Sequence, residues 1–173
     1  MLKHIIDDIE RAKNNKAYLS ALALALTLPD ICGNIEYLNP KVSFRYEKWY
    51  NTWVYKYFKQ KDSENEFIAR ASNATKFDGA FCYRLRCAML HSGNTDLTVN
   101  DIKFDVVELS VCDEGEQRGY SIVCDVSYNK VKNIHVDLNV IHFIDTIIAG
   151  TNDYIEVKGD VSNVFGNIEI EVL

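Results

Sequence analysis

Residues 16–28 read KAYLSALALALTL, and from Ala17 to Leu28 the run is apolar almost all the way round a helix. A helix without a polar face needs cover on every side, so it belongs in the middle of a bundle. Pro29 ends or restarts it, because proline lacks the amide donor and clashes with the preceding turn. DICGNIEYL then carries helical character as far as the Asn39-Pro40 turn signal.

The neighbouring segments supply that cover. In LKHIIDDIERA the apolar residues Leu2, Ile5, Ile6 and Ile9 recur at three- and four-residue spacing, which places them on one stripe. FRYEKWYNTWVYKYF, residues 44–58, sets Tyr46, Trp49, Tyr50, Trp53, Tyr57 and Phe58 at helical spacing. Such a stripe serves as core with hydroxyls at its edge more often than as a base-stacking platform. KQKDSENEF reads as a loop. FDGAFCYRLRCAMLHSG reads as a fourth helix, capped by Asp78 and closed by Gly93.

After NTDL the period changes. IKFDVVELSV and YSIVCDVSY have strand composition and are separated by CDEGEQRG, a glycine-containing polar turn. KNIHVDLNV reads as a third strand, VIHFIDTIIAG as a helix stopping at Gly150, and GNIEIEVL as a last strand. The expected architecture is α+β. A helical bundle of about four helices fills residues 1–95, and a small antiparallel β segment with one helix, residues 96–173, packs on it.

With 47% hydrophobic and 25% charged residues, general disorder is excluded. The net charge of −6 excludes a general nucleic-acid coat, which needs many lysines and arginines on phosphates. A local basic site is compatible with it. The apolar run ALALALTL is far shorter than the roughly 20 residues that cross a bilayer, so no membrane partner is expected. The five cysteines form no CxxC pair, and the amphipathic amino terminus lacks a signal-peptide core. These features point to free thiols in a reducing, cytoplasmic setting.

The chemistry-bearing stretch is YRLRCAMLHSG, residues 83–93. At about 100° per helical residue, Arg84 and His91 lie roughly 20° apart on one face, while Arg86 lies roughly 140° from His91. Arg86 and His91 therefore converge more readily across a two-fold axis between two copies than within one chain. Histidine can take the proton of a ribose 2′-hydroxyl, and arginine can hold a phosphate and offset its growing charge. No paired acids stand beside this motif, so the expected chemistry uses no metal and no cofactor.

The spacing Arg86–His91 is R-x4-H, and Arg84–His91 is R-x6-H. YRLRCAMLHSG thereby resembles the terminal helix of the HEPN superfamily, over about residues 1–95. The resemblance implies a four-to-five-helix bundle and a homodimer through the motif helix. It also implies metal-independent endoribonuclease activity of a toxin or defence effector. Arg86 would hold the scissile phosphate, Arg84 would assist, and His91 would act as base or orient the hydroxyl. RNA and a cognate antitoxin or other protein are the partners this implies. LPDICG, RYEKWY and CYRLRCAMLH together also resemble a family of small bacterial proteins. Cys87 stands where the active pattern usually has a polar residue, and a thiol donates weakly. The alternative is therefore a non-catalytic module of the same fold that regulates or inhibits a partner protein or assembly.

Each of these residues also has a plain structural reading. Arg84 and Arg86 can pair with acids, and Asp30 of LPDICG is the expected partner inside the bundle. His91 can sit at a helix carboxyl end for its dipole. Cys87, Cys82 and Cys32 read as structural cysteines rather than thiol–imidazole nucleophiles. His135 and His142, with Asp137 and Asp145, read as a solvated face more readily than as a metal site.

Overall fold

The amino-terminal stripe forms α1 (Leu2–Asn14), which buries Leu2, Ile5, Ile6 and Ile9. The computed structural model describes residues 1–38, 41–58, 76–92, 97–99, 102–111, 120–127 and 130–160. The expected KQKDSENEF loop, the stop at Gly93 and the GNIEIEVL strand lie outside the described residues.

The apolar run is divided. Helix α2 (Tyr18–Ala25) ends before Thr27, and α3 (Leu28–Glu36) restarts with Pro29 in its first turn, where the missing amide costs nothing. This restart turns the four helices counted in the sequence into five. It also changes the role expected of the run. Ala21, Leu22 and Ala25 are buried against α1 and the long carboxyl-terminal helix, but Leu19 is 67% exposed. A helix of barely two turns meets two neighbours and buries one side, so the expected all-round cover is not present. Tyr18–Glu36 is the one stretch among the described residues long and apolar enough to cross a membrane, and here it packs Leu22, Leu26, Leu28 and Cys32 into the core.

Helix α4 (Val42–Trp53) continues into a 3-10 turn at Tyr55–Tyr57, and Tyr46, Trp49 and Tyr50 are its fully buried side chains. The aromatic stripe is thus core, with Tyr57 exposed at its end. Helix α5 (Gly79–Cys87) is followed by a π turn at Ala88–Ser92. As expected, Asp78 caps α5, its Oδ1 accepting from the amides of Ala80 and Phe81 at 3.0 and 3.1 Å.

Four strands follow: β1 (Leu97–Val99), β2 (Ile102–Ser110), β3 (Tyr120–Ser127) and β4 (Lys130–Asn139), in spatial order β1-β2-β4-β3. The β1–β2 and β3–β4 pairs are antiparallel, but β2 and β4 run parallel, with Val107 opposite Val136. The sheet is therefore mixed rather than antiparallel. Alternation in a sequence identifies strands without their neighbours, and here β4 inserts between β2 and β3. Leu97, Val99, Ile134, Val136 and Leu138 face the core, where α5 packs on β1 and the last helix on β4.

Helix α6 (Val140–Lys158) starts directly from β4, capped by the Asn139 side chain accepting from Ile141 and His142. It runs through Gly150 instead of stopping there. A Cβ on Gly150 would lie 2.7 Å from Val54 Cγ2 and 2.8 Å from the carbonyl oxygen of Trp53, so this glycine admits close helix packing. The stop comes at Gly159, whose φ of 86° suits glycine. Around the crossing, Tyr154 meets Trp49 and Trp53 edge-on at centroid distances of 5.7 and 5.4 Å, and Phe143 meets Phe58 at 5.6 Å.

Helix α6 thereby brings part of the carboxyl-terminal segment into the helical core. Alanine ordinarily stabilises a helix interior by about 1 kcal/mol relative to glycine. Gly150→Ala should instead destabilise by about 1–3 kcal/mol through overpacking, read from the shift of a urea unfolding midpoint at unchanged slope. A gain in stability would mean that α4 and α6 do not approach closely there.

Candidate functional site

The two arginines of YRLRCAMLH leave α5 in different environments. Arg84 is exposed, and among the described residues its side chain makes no hydrogen bond or ion pair. Arg86 is half-buried and donates from Nη2 to Asp30 Oδ2 at 3.0 Å, with the two side chains 17% and 26% exposed. The acid expected for it from LPDICG is the one it meets. Asp30 lies in the first turn of α3, where the helix dipole favours a negative charge. A partly desolvated guanidinium requires such a partner, since an unpaired charge there is strongly unfavourable.

His91 falls within the π turn. Its backbone is placed there, and its side chain lies outside the described residues. In a π turn each amide bonds five residues back, so more residues fill each turn than in an α-helix. The 100° step that places Arg84 and His91 on one face therefore holds only as far as Cys87. The widening is invisible to a helical-wheel argument, which assumes a constant step.

Tyr46 of α4 packs behind the arginine pair. Its hydroxyl lies 3.1 Å from the Leu26 carbonyl, to which it donates, and 3.2 Å from Cys82 Sγ. One phenol thus ties the end of α2 to α5. Tyr83 stacks edge-on against Tyr46 at 5.4 Å and lies beside Cys87. Burial, followed by the neighbouring Cys87, raises the Tyr83 phenol above its ordinary range. Burial pushes the Cys82 thiol up to about 12 and that of Cys32 up strongly, so neither supplies a thiolate at neutral pH. The structural reading holds for these two cysteines. Cys87 is half-buried.

On the other side of α5, the Gly79 amide donates to Asn51 Oδ1 at 2.8 Å, and Glu47 of α4 lies near the Asp78 cap. Burial raises the Glu47 carboxyl above its ordinary range and the charge of Asp78 adds to the rise, while Lys41 and Arg84 oppose it. Glu47 was not legible as a member of this neighbourhood, because 31 intervening residues separate it from the Gly79 end of α5. Its only sequence signal is an acid on the polar side of the aromatic helix.

The second histidine-bearing region does not assemble a site. His135 is exposed on β4, and His142 is exposed near the start of α6 with its ring edge-on to Phe58 at 5.9 Å. Asp145 pairs with Lys13 of α1. Among the described residues no three His, Cys, Asp or Glu side chains gather as metal ligands would.

No family model, no characterised protein and no solved structure matches this chain.

A raised carboxylate pKa has a definite sign. The folded state binds the proton more tightly than the unfolded chain, so an ionised Glu47 weakens the fold above that range, and the penalty fades as pH falls through it. Glu47→Gln should therefore raise the thermal midpoint at neutral pH, with the difference from wild type closing as pH falls through the carboxylate range. Removing the cap by Asp78→Ala should cost about 1 kcal/mol in the same melts, and an unchanged midpoint would remove Asp78 from that role.

Proposed function

We propose that the chain is a HEPN-like helical module that cleaves RNA without a metal, acting as a toxin or defence effector. The observation that supports this reading is the placement of Arg84, Arg86 and His91 at the end of α5, where the helix gives way to a π turn. Such local widenings recur at functional sites. Arg84 stands in solvent with its charge available. Arg86 would hold the scissile phosphodiester with Arg84 assisting, each through charge-assisted hydrogen bonds.

His91 would accept the proton of the ribose 2′-hydroxyl. The 2′-oxygen then bonds to phosphorus, and the 5′-oxygen leaves and takes up a proton. The guanidinium groups offset the charge that grows on the phosphoryl oxygens. A second copy of the chain, paired through the motif helix, would bring Arg86 of one protomer toward His91 of the other.

A second reading has its own support. Asp30 already neutralises Arg86, and Cys87 is a weak hydrogen-bond donor beside it. Both features suit a non-catalytic module of the same kind that binds and regulates a protein partner.

Incubation of the purified protein with total RNA in EDTA separates the two. Under the first reading fragments accumulate, and His91→Ala lowers the rate by roughly 10²–10⁴-fold. Wild-type protein that leaves RNA intact favours the binding module, and cleavage that survives unchanged in His91→Ala removes the mechanism. Sedimentation at micromolar concentration should show a dimer. A strict monomer that still cleaves would exclude the composite site.

A further inference from the structure

We propose that Asp30 is a built-in competitor for phosphate at Arg86, a latch that keeps the anion site of α5 closed until an RNA phosphodiester displaces it. This rests on the reading of α5 as an RNA-facing element and adds to it how the site is held in the unliganded protein. The carboxylate is an oxygen-bearing anion like a phosphodiester, and it lies at hydrogen-bond distance from the guanidinium, Nη2 to Oδ2 at 3.0 Å. Carboxylate and phosphate are the two groups that match the arginine fork. An RNA phosphate reaching Arg86 therefore meets a site already filled by chemistry of its own kind.

Three features of the surroundings make this a latch rather than a keystone of the fold. Both side chains keep contact with water, at 17% and 26% exposure, so the pair can open without first exposing the core. The two helices that carry it are held by other means: α4 packs on both α3 and α5, and Tyr46 bridges Leu26 and Cys82 beneath the pair. Asp30 also has somewhere to remain when released. It sits in the first turn of α3, where the helix amino terminus stabilises its charge without Arg86.

The alternative role for such an acid is positioning, in which Asp30 aims Arg86 at the phosphate and its loss weakens binding. The two roles predict opposite signs. Asp30→Asn keeps the shape of the side chain and removes its charge. As a latch variant it should bind a short fluorescent 2′-O-methyl oligoribonucleotide, which cannot be cleaved through its 2′-oxygen, on the order of tenfold more tightly than wild type. That is the range of one additional hydrogen bond to a charged group. With no carboxylate charge uncovered as the phosphate takes Arg86, the variant should also steepen the dependence of log affinity on log salt by about 0.7. A general loosening of the fold would not produce that change. Adding Arg86→Gln to Asp30→Asn should abolish both the gain and the extra slope.

Anisotropy titrations at several salt concentrations, with thermal melts of every variant, decide the matter. Tighter binding with a steeper slope that Arg86→Gln reverses establishes the latch. Weaker or unchanged binding by a folded Asp30→Asn overturns it. Should Asp30→Asn not fold, Asp30→Ser is read by the same criteria, and if both fail to fold the pair is a keystone and the proposal falls. Failure of the latch is distinct from failure of the nuclease reading. Wild-type cleavage of total RNA without any gain in Asp30→Asn removes only the latch. A gain in Asp30→Asn without cleavage by any variant removes only the nuclease and leaves an RNA-binding module with a closed site.

Discussion

The crossing of α4 and α6 at Gly150 is the contact on which the rest of the structure depends. A hydrogen in place of a side chain lets the backbone of α6 rest on the carbonyl of Trp53 and the methyl of Val54. That approach brings Tyr154 edge-on to two tryptophans and Phe143 against Phe58, so α6 covers the carboxyl-terminal end of the aromatic stripe while Tyr46 turns to α5. Because the last residue of β4, Asn139, is itself the cap of α6, anchoring the helix also anchors the sheet. The far side of α6 takes α1 and α2, with the Lys13–Asp145 pair at its edge. A bundle and a sheet that are consecutive in sequence thus share one core through a helix that belongs to the second segment.

Charge is distributed differently from apolar area. Most ion pairs among the described residues have at least one exposed partner, and such pairs contribute little. The pair of Arg86 and Asp30 is half-covered, and its neighbours are aromatic and sulfur groups on α4 and α5. Burial of that kind gives a pair specificity more than strength, because desolvation offsets much of the attraction. A contact that is specific without being strong can hold an arginine in one place and still yield to a competing anion.

Local chemistry was readable wherever the responsible atoms lie close together along the chain. The Asp78 cap follows from a short polar side chain before an apolar helix, and the restart at Pro29 from a missing amide. The burial of Tyr46, Trp49 and Tyr50 follows from their spacing. One long-range contact was also readable: a half-buried Arg86 needs an acid, and Asp30 stood in the apolar neighbourhood where it would be found. The remainder of the candidate site was less legible. The π turn around His91 breaks the constant angular step on which a helical wheel depends, and Glu47 reaches the neighbourhood of Asp78 only through the packing of α4 on α5.

Among the described residues periodicity therefore marked the helices and the three longer strands, because it records which residues of one element must share a face, and it missed the three-residue strand Leu97–Val99. It settled neither partners nor order, which depend on shape between elements. Gly150 read as a helix end, since glycine at a terminus and glycine under a neighbouring backbone look alike until that backbone is in place. The all-apolar run read as fully enclosed, although two turns of helix meet two neighbours and leave Leu19 in solvent. The strands read as antiparallel, yet β4 lies between β2 and β3 and runs parallel to β2. Composition states how much apolar surface an element carries. The distance of closest approach between backbones determines which neighbour covers it.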